Sequence, residues 1–316
     1  MKRKLNLGMV GILLGLVMSG AGLAEAANIR IGMVNLSQAA PYFIGMSKAV
    51  NEEAAFYGNI EVLTTDANGN VEKLTSDVED VLAKKVNGII ISGAWIEAAP
   101  AALDAIKKAG VPVVLVDRML KGGDYTSWVG PHNYLIGQQD GDYIVKRLNS
   151  KGRLVVLRGG PADNSIGLDR TNGMLSKVEK SGIEAVKAPN FGNWSSDGGF
   201  TLMADMLVRY DKIDAVFCEN DSMCLGAQKA IQDANRSKEM FLVGVDGEKA
   251  ALEQIMKGTN YAATGLNNSD QIGRAAFHRL ISILAGATPK EKDTILPSPL
   301  ITSENVQRFY NPATVF

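Results

Sequence analysis

The sequence predicts an α/β fold made of two lobes, each built on a doubly wound parallel sheet. From Asn28 onward, short apolar runs rich in β-branched residues alternate with helical patterns, and the alternation forms two series of similar size. Ligands bind outside the carboxyl ends of the strands in such sheets, so polar side chains there indicate a binding cleft. Three runs end in this way, at Asp117-Arg118, Glu219-Asn220-Asp221 and Asp246-Gly247.

The first series contains four predicted strands, at residues 29–35, 60–65, 88–92 and 111–117. Between them lie helical patterns over roughly 43–57, 71–85 and 97–109, each long enough to form a crossover between parallel strands. Gly58, Gly88 and Gly110 stand where these helices should end.

The second series repeats this arrangement. Its predicted strands are 153–158, 183–188, 213–218 and 240–246, and its predicted helices are 168–180, 197–210 and 222–234. Residues 125–129 and a helix at about 133–148 separate the two series. A strand at 262–266, a helix at 270–284 and a proline-punctuated end follow. No Gly/Ser tract joins the lobes, which favours closely coupled connections of the kind a hinge needs.

The N-terminus has the layout of a secretory signal peptide. It has a basic start at residues 2–4, an apolar run over 5–17 and small residues ending in Ala24-Glu25-Ala26, so we expect residues 1–26 to be removed after Ala26. The alternative is a membrane anchor, but the run is shorter than the roughly 18 apolar residues that a span requires. Loss of three positive charges and one negative charge changes the net charge from −1 to −3, which gives no electrostatic reason to bind nucleic acid.

The two cysteines, Cys218 and Cys224, flank a predicted strand end. An exported chain is able to join them. We favour two separate buried thiols, one on a strand and one on a helix. A metal site needs more ligands than these cysteines and the distant His132 and His278 provide, so we expect no metal and no cofactor.

Several motifs resemble the ribose-binding-like periplasmic proteins. In the family's order along the chain they are Val113 to Arg118, Gly141-Asp142-Tyr143, Arg170 with Gly173, Asn220 to Ala227, Val243-Gly244-Val245-Asp246-Gly247 and Asp270-Gln271-Ile272-Gly273. Each motif is weak by itself. Their collinearity behind a signal peptide makes the resemblance specific, and together they cover nearly the whole mature chain.

The resemblance implies a type I periplasmic binding fold with a multi-strand hinge. It implies a periplasmic protein, not an enzyme, that closes on a sugar or polyol and delivers it to the permease of an ABC importer in the inner membrane. Hinge crossings near Pro131-His132, Asn267 and Pro297 give an N-terminal lobe of residues 27–131 plus 268–296 and a C-terminal lobe of 132–267 plus 297–316. We expect a monomer that binds no nucleic acid.

A neutral sugar presents hydroxyl groups around its edge, so its site needs groups that make directed hydrogen bonds. Six residues match the family's polar ligand-binding positions: Asp117, Arg118, Arg170, Asn220, Asp246 and Asn267. Relatives commonly carry Gln at the last of these. The alternatives are an interlobe salt bridge for Asp117 and Arg118, a solvated helix position for Arg170 and a helix cap for Asn220.

The faces of a sugar carry C–H groups, which call for aromatic rings above and below. Tyr42 and Phe43 match the aromatic pair of the family's first loop, although Phe43 also fits a core position. Trp194 stands in a polar loop where relatives present a ring from the second lobe, and Trp95 is a further candidate wall.

The chain also departs from the ribose pattern. Ala39-Ala40 and Ser92-Gly93-Ala94 replace segments that often carry Asn or Asp, and Val245 replaces an aromatic residue. These changes remove hydrogen bonds and a ring face. We therefore expect a different pentose, a hexose or a polyol.

Other functional classes are weaker. An enzyme needs a reacting group, and the sequence has no G-x-S-x-G elbow, P-loop or strand-associated G-x-G-x-x-G. Asp117 and Asp246 would serve glycoside hydrolysis only with a suitable separation and one raised pKa. A transcription regulator of this fold would carry a helix-turn-helix where this chain has an export signal. A periplasmic sensor that presents its sugar to a membrane receptor or histidine kinase stays open.

Overall fold

A computed structural model describes residues 28–120, 124–160, 166–288 and 290–316. The predicted signal peptide lies outside these residues. Within the described ranges, no helix has both the length and the apolar character needed to cross a bilayer.

Residues 28–131 alternate strands and helices. In chain order the elements are β1 (Ile29–Asn35), α1 (Pro41–Ala54), β2 (Ile60–Asp66), α2 (Val71–Ala83), β3 (Gly88–Ser92), α3 (Gly93–Ala98), α4 (Pro100–Ala109), β4 (Val113–Val116) and β5 (Ser127–Pro131).

The alternation continues through the rest of the described chain. The elements are α5 (Asn133–Arg147), β6 (Lys151–Leu157), α6 (Ile166–Val178), β7 (Gly182–Lys187), α7 (Ser196–Arg209), β8 (Ala215–Cys218), α8 (Asp221–Asp233), β9 (Phe241–Asp246), α9 (Lys249–Met256), β10 (Tyr261–Leu266), α10 (Ser269–Leu284), β11 (Asp293–Leu296), β12 (Leu300–Thr302) and a single 3-10 turn at Val306–Arg308.

The strands form two six-stranded sheets with equivalent topology. The first has the order β2-β1-β3-β4-β5-β11 and is parallel throughout. The second has the order β7-β6-β8-β9-β10-β12 and is parallel except for β12. This confirms the predicted fold class of two doubly wound lobes. In each sheet the strand order reverses beside the first strand, which places a topological switch point at the carboxyl ends.

The chain passes between the sheets three times. It leaves the first sheet after β5, returns from β10 through α10 to β11, and leaves again for β12. Helix α10 packs with α1 against β1, β3 and β4, through Phe277 and Leu280. Neither β11 nor β12 was predicted from the sequence, and both are short strands, of 4 and 3 residues, in the proline-punctuated end.

Both faces of each sheet are buried. In β3, Ile89 and Ile91 face the core that contains Val81, whereas Ile90 faces the core that contains Phe277. Full burial of one such side chain contributes about 1.5–3 kcal/mol. This two-sided burial explains why the strands appear as continuous apolar runs rather than alternating patterns.

The structure corrects two sequence predictions. The helix predicted over 97–109 is interrupted at Ala99, because a residue before proline is restricted in the helical region and Pro100 cannot donate a backbone hydrogen bond. The preference for separate thiols is wrong, since Cys218 and Cys224 form a disulfide. The turn between β8 and α8 brings their Cα atoms to 5.4 Å, a usual distance for a bridge.

Candidate functional site

A cavity of about 230 Å³ lies between the carboxyl ends of the two sheets. All ten predicted site residues line it: Tyr42, Phe43, Trp95, Asp117, Arg118, Arg170, Trp194, Asn220, Asp246 and Asn267. Five further residues line it. Ala40 and Ala94 belong to the two segments that depart from the ribose pattern, whereas Ile166, Ser222 and Phe316 were not among the predicted ligand contacts.

The lining falls into two groups that we call half-sites. The first half-site comes from the first sheet and its helices and contains Tyr42, Phe43, Trp95, Asp117 and Arg118. The second half-site comes from the second sheet and its helices and contains Arg170, Trp194, Asn220 and Asp246. Asn267 follows β10, on the connection that returns to the first sheet.

The centre of the second half-site is a buried ion pair. Arg170, on α6, is 2% exposed, and its Nη2 lies 3.0 Å from Oδ1 of Asp246. Its other nitrogens donate to Oδ1 of Asn133 at 2.9 Å and to the backbone carbonyl of Glu219. Neither Asn133 nor Glu219 was among the predicted residues, because their role is to hold Arg170 rather than to line the cavity.

Asp246 ends β9 and is positioned by sheet register. It pairs with Leu266 of β10, so the next residue, Asn267, donates from Nδ2 to its Oδ1 at 2.9 Å. Burial raises the pKa of the Asp246 carboxyl to about 7, although Arg170 acts in the opposite direction. The raised pKa therefore has a structural cause, and it does not require the acid role that glycoside hydrolysis would assign to Asp246.

A second buried carboxylate holds the turn after β9. Asp221 accepts hydrogen bonds from the backbone N–H groups of Gly247 and Glu248, both at 2.8 Å, and from the hydroxyls of Tyr261 and Thr264. Asp221 thus fixes the backbone on which Asp246 stands. The sequence marked Asp221 as part of a polar strand end and of the motif Asn220 to Ala227, but not as a support for Asp246.

In the first half-site, Tyr42 connects three elements. Its hydroxyl lies 3.2 Å from Oδ1 of Asp117, at the end of β4, and 3.2 Å from Oδ1 of Asn267. Burial and the neighbouring Asp117 and Asp246 raise the pKa of Tyr42 well above its usual range. The phenol is therefore a neutral donor whose one proton is shared by two acceptors.

Unusual backbone conformations concentrate at this cavity. Asp117 has φ of 61°, Trp194 has φ of 59° and Asp246 has φ of 129°. Non-glycine residues in this region store about 1–3 kcal/mol each and persist where surrounding contacts hold them. The chain thus bears a conformational cost at the positions that present these three side chains to the cavity.

Asn220 caps a helix and also reaches the cavity. Its Oδ1 caps α8 by accepting from the backbone N–H of Met223 at 3.0 Å, and the side chain also lines the cavity. Its Nδ2 donates to the backbone carbonyl of Trp194 at 3.2 Å. Asn220 therefore fixes the Trp194 loop as well as contributing polar surface.

Two glycines permit close approaches beside the cavity. A Cβ atom on Gly159 would lie 2.1 Å from the Trp194 ring, so the absent side chain leaves room for the indole. A Cβ atom on Gly93 would lie 2.1 Å from the backbone oxygen of Arg118. The departure from the family pattern at Gly93 therefore makes room for the loop that carries Asp117 and Arg118.

Four rings form a continuous aromatic wall. Tyr42 meets Phe43 edge-on at 5.2 Å and meets Phe316 in the same way at 5.2 Å, and Phe43 lies 4.5 Å from Trp95. Trp194 lines the cavity from the second half-site. Phe43 also packs against the core of the first sheet, so its ring lies at the boundary between the core and the cavity.

Within the described part of the chain, no group of three or more His, Cys, Asp or Glu side chains is arranged to hold a metal ion. The cavity lining presents two carboxylates, two guanidinium groups and two amides, which are able to make directed hydrogen bonds, beside apolar ring surfaces. Such a site suits an uncharged molecule that has hydroxyl groups on its edge and C–H groups on its faces.

Comparisons with known proteins identify the family of this chain. A family model described as a periplasmic binding protein domain matches residues 31–288. The D-apiose import binding protein of Actinobacillus succinogenes is 28% identical over 298 residues, which cover 94% of this chain and 95% of that protein.

Solved structures share the fold. An ABC transporter solute-binding protein from Mycobacterium smegmatis with bound glycerol has a TM-score of 0.84 and 27% identity, with 91% of this chain and 99% of that chain covered. The fructose-binding periplasmic domain of a hybrid two-component system has a TM-score of 0.79 and 29% identity, with 89% and 93% covered. Because the family model spans most of the sequence, the chain belongs to the periplasmic binding proteins, a family of exported ligand binders and not of enzymes.

Proposed function

We propose that this protein captures a monosaccharide or polyol between its two lobes and delivers it to the permease of an ABC importer in the inner membrane. The observation that carries the proposal is the convergence of two half-sites on one small cavity. The relatives support it, since one is named for D-apiose import and another belongs to an ABC transporter and has bound glycerol.

The ten predicted side chains have different roles in binding. Asp117 and Asp246 accept hydrogen bonds from ligand hydroxyls, and Arg118 and Arg170 donate from their planar forks. Asn220 and Asn267 are able both to donate and to accept hydrogen bonds. Tyr42, Phe43, Trp95 and Trp194 cover the C–H faces of the ligand.

The ligand drives closure because it contacts both lobes. Its affinity for the closed form then exceeds its affinity for the open form, and binding shifts the population toward closure. We assign residues 27–131 plus 268–296 to the first moving body and 132–267 plus 297–316 to the second. The three passages between the sheets form the hinge.

Export and assembly complete the proposal. The leader is cleaved after Ala26, and the mature protein works as a monomer in the periplasm without binding nucleic acid. The cavity size favours a single sugar ring or a short polyol, and the residues that differ from the ribose pattern favour a ligand other than ribose.

A thermal-shift screen of pentoses, hexoses and polyols tests the proposal, because a ligand that binds only the folded state raises its apparent stability. We expect one or a few closely related compounds to raise Tm. The matched control is Asp117→Asn, whose Tm should respond much less to the same compounds. A panel in which no compound shifts the wild-type Tm, or in which both proteins respond equally, contradicts the proposal.

A second candidate is a sugar sensor that passes its signal to a membrane receptor or histidine kinase. The likeness to the fructose-binding periplasmic domain of a hybrid two-component system favours it. Uptake of the radiolabelled ligand by the source organism, with and without this gene, separates the two. Loss of uptake supports delivery to an importer, whereas unchanged uptake with a lost transcriptional response supports sensing.

A further inference from the structure

The last eight residues, 309–316, contact both lobes, and we call them the tail segment. On the side of the second sheet, the Tyr310 hydroxyl donates to Glu253 of α9 at 3.1 Å. Lys249, also on α9, donates from Nζ to the carbonyl oxygens of Pro312 at 2.7 Å and Thr314 at 3.3 Å. These bonds fix the start and the middle of the segment to the second lobe.

The end of the tail segment reaches the first lobe. The Thr314 hydroxyl donates to Oδ2 of Asp270, on α10, at 2.7 Å. Lys48, on α1, donates to the carbonyl oxygen of Ala313 at 3.5 Å. The segment therefore connects the lobes through side-chain bonds, in addition to the three passages of the main chain between the sheets.

Much of the tail segment is exposed to solvent, but its final side chain is buried. Residues 311–313 are exposed and Val315 is 46% exposed, yet Phe316 is only 3% exposed. The Phe316 ring lines the central cavity and meets the Tyr42 ring edge-on at 5.2 Å. A Cβ atom on Gly45 would lie 3.1 Å from Cβ of Phe316, so the glycine on α1 leaves room for this residue.

We infer that Phe316 is a specificity-determining wall of the ligand cavity, held in place by the anchoring of the tail segment to both lobes. The inference deepens the proposed function and rests on it. An aromatic wall limits the length of the ligand at that end and offers its edge to C–H groups. Shortening the side chain opens space beside Tyr42, which favours longer sugars or polyols.

Anchoring to both lobes also links this wall to closure. The bonds made by Lys249 and Thr314 lie on opposite lobes, so both are satisfied together only when the lobes stand as they do in this structure. Thr314→Val removes the bond to Asp270, and the bond that the hydroxyl accepts from the backbone N–H of Phe316 at 3.2 Å, with little change of volume. It should release the end of the segment and therefore act in the same direction as a loss of the ring, but less strongly.

The test measures affinities by isothermal titration calorimetry for the best ligand of the screen and for homologues one carbon shorter and longer. We expect Phe316→Ala to weaken binding of the best ligand by about tenfold and to shift selectivity toward the longer homologue by at least about threefold. Phe316→Leu should show a smaller shift, and Thr314→Val should fall between Phe316→Leu and wild type. Val315→Ala is the matched control, because this neighbour is exposed, and it should change affinity by less than about twofold.

The outcomes distinguish a failure of the proposed function from a failure of the role inferred for Phe316. Wild-type protein that binds no sugar or polyol overturns the proposed function and this inference with it. Wild-type binding with unchanged affinity and selectivity in Phe316→Ala overturns the inference alone. If Phe316→Ala does not fold, as judged by circular dichroism, Phe316→Leu gives the decision: unaltered selectivity in that variant overturns the inference.

Discussion

The two half-sites differ in how firmly the protein holds them. In the second half-site, Arg170, Asn220 and Asp246 are each less than 10% exposed, and Arg170 and Asp246 bond to one another. In the first half-site, Tyr42 and Asp117 remain partly exposed. The described residues thus combine a charged network set in the core of one lobe with a more accessible, largely aromatic surface on the other.

We expect this difference to give the two half-sites different roles, with the second contributing affinity and the first contributing selectivity. Groups fixed before the ligand arrives lose little entropy on binding, so a preorganised second half-site supplies affinity. Tyr42 and Phe43, the partly exposed rings of the first half-site, adjust more easily to the faces of different ligands and supply selectivity. We therefore expect changes in the second half-site to affect folding and binding together, and changes in the first to affect mainly binding.

The largest effect is expected from Arg170→Met. Removing one partner of a buried ion pair leaves the Asp246 carboxylate without its counter-charge and should lower the free energy of unfolding by about 3–5 kcal/mol. Binding of the screened ligand should fall below detection. Urea denaturation and titration calorimetry measure the two effects.

The control for this change is Arg30→Met. Arg30 pairs with Glu61 at 2.9 Å, but both side chains are about half exposed, so the loss should be about 1 kcal/mol or less. Equal losses in the two variants would show that the Arg170 network is no more important to folding than a surface pair.

Asp117→Asn should affect binding without affecting folding. The amide keeps the shape of the carboxylate and tolerates the positive φ at this position, so the free energy of unfolding should change by less than about 1 kcal/mol. Loss of the charged acceptor should weaken ligand binding by about 1.5–3 kcal/mol. A stability loss as large as that of Arg170→Met would remove the distinction between the half-sites.

Affinity should depend on pH through Asp246. Its raised pKa of about 7 means that the unliganded carboxyl takes up a proton as the pH falls through 7, and the protonated form has lost acceptor capacity for ligand hydroxyls. Ligand binding favours the charged form, so affinity is full above pH 8 and should be about tenfold weaker at pH 6.

Glu248→Gln is the matched control for the pH profile. Burial raises the pKa of Glu248 to about 7 as well, but its carboxylate accepts from Ser222 at 2.7 Å and does not line the cavity. The variant should keep the wild-type pH profile of affinity. A flat profile in Glu248→Gln would assign the titration to Glu248 instead of Asp246.

The smallest effect on affinity is expected from Phe43→Leu. The ring lies 4.5 Å from Trp95 and packs partly against the core, so an aliphatic replacement keeps most of the buried surface. Affinity should change by about 1 kcal/mol or less, whereas the ratio of affinities for two screened ligands should change more. An unchanged ratio with reduced affinity would indicate a packing role alone.

The sequence was most informative where function depends on local order along the chain. Asp117, Asn220 and Asp246 lie at or just after the carboxyl ends of strands. The rule that parallel strands present these ends together is enough to bring them to one place. The collinear family motifs added Arg170 and the aromatic residues. The structure brings all ten to one cavity.

The residues that sequence reasoning missed depend on distant contacts. Phe316 reaches the cavity only because the tail segment crosses to α1 and α10, and Asn133 matters only because α5 lies beside α6. Val245 stands where the ribose pattern has an aromatic residue. Its side chain is buried in the core of the second sheet and does not line the cavity, so this position offers no ring face to a ligand.

A crystal structure of the protein with the best ligand of the screen tests the central claim most directly. The account predicts one sugar or polyol in the cavity, with hydroxyl groups within hydrogen-bond distance of both Asp117 and Asp246 and with ring faces of the first half-site against its C–H groups. A ligand bound outside this cavity, or one that contacts only a single half-site with the lobes closed, would contradict it.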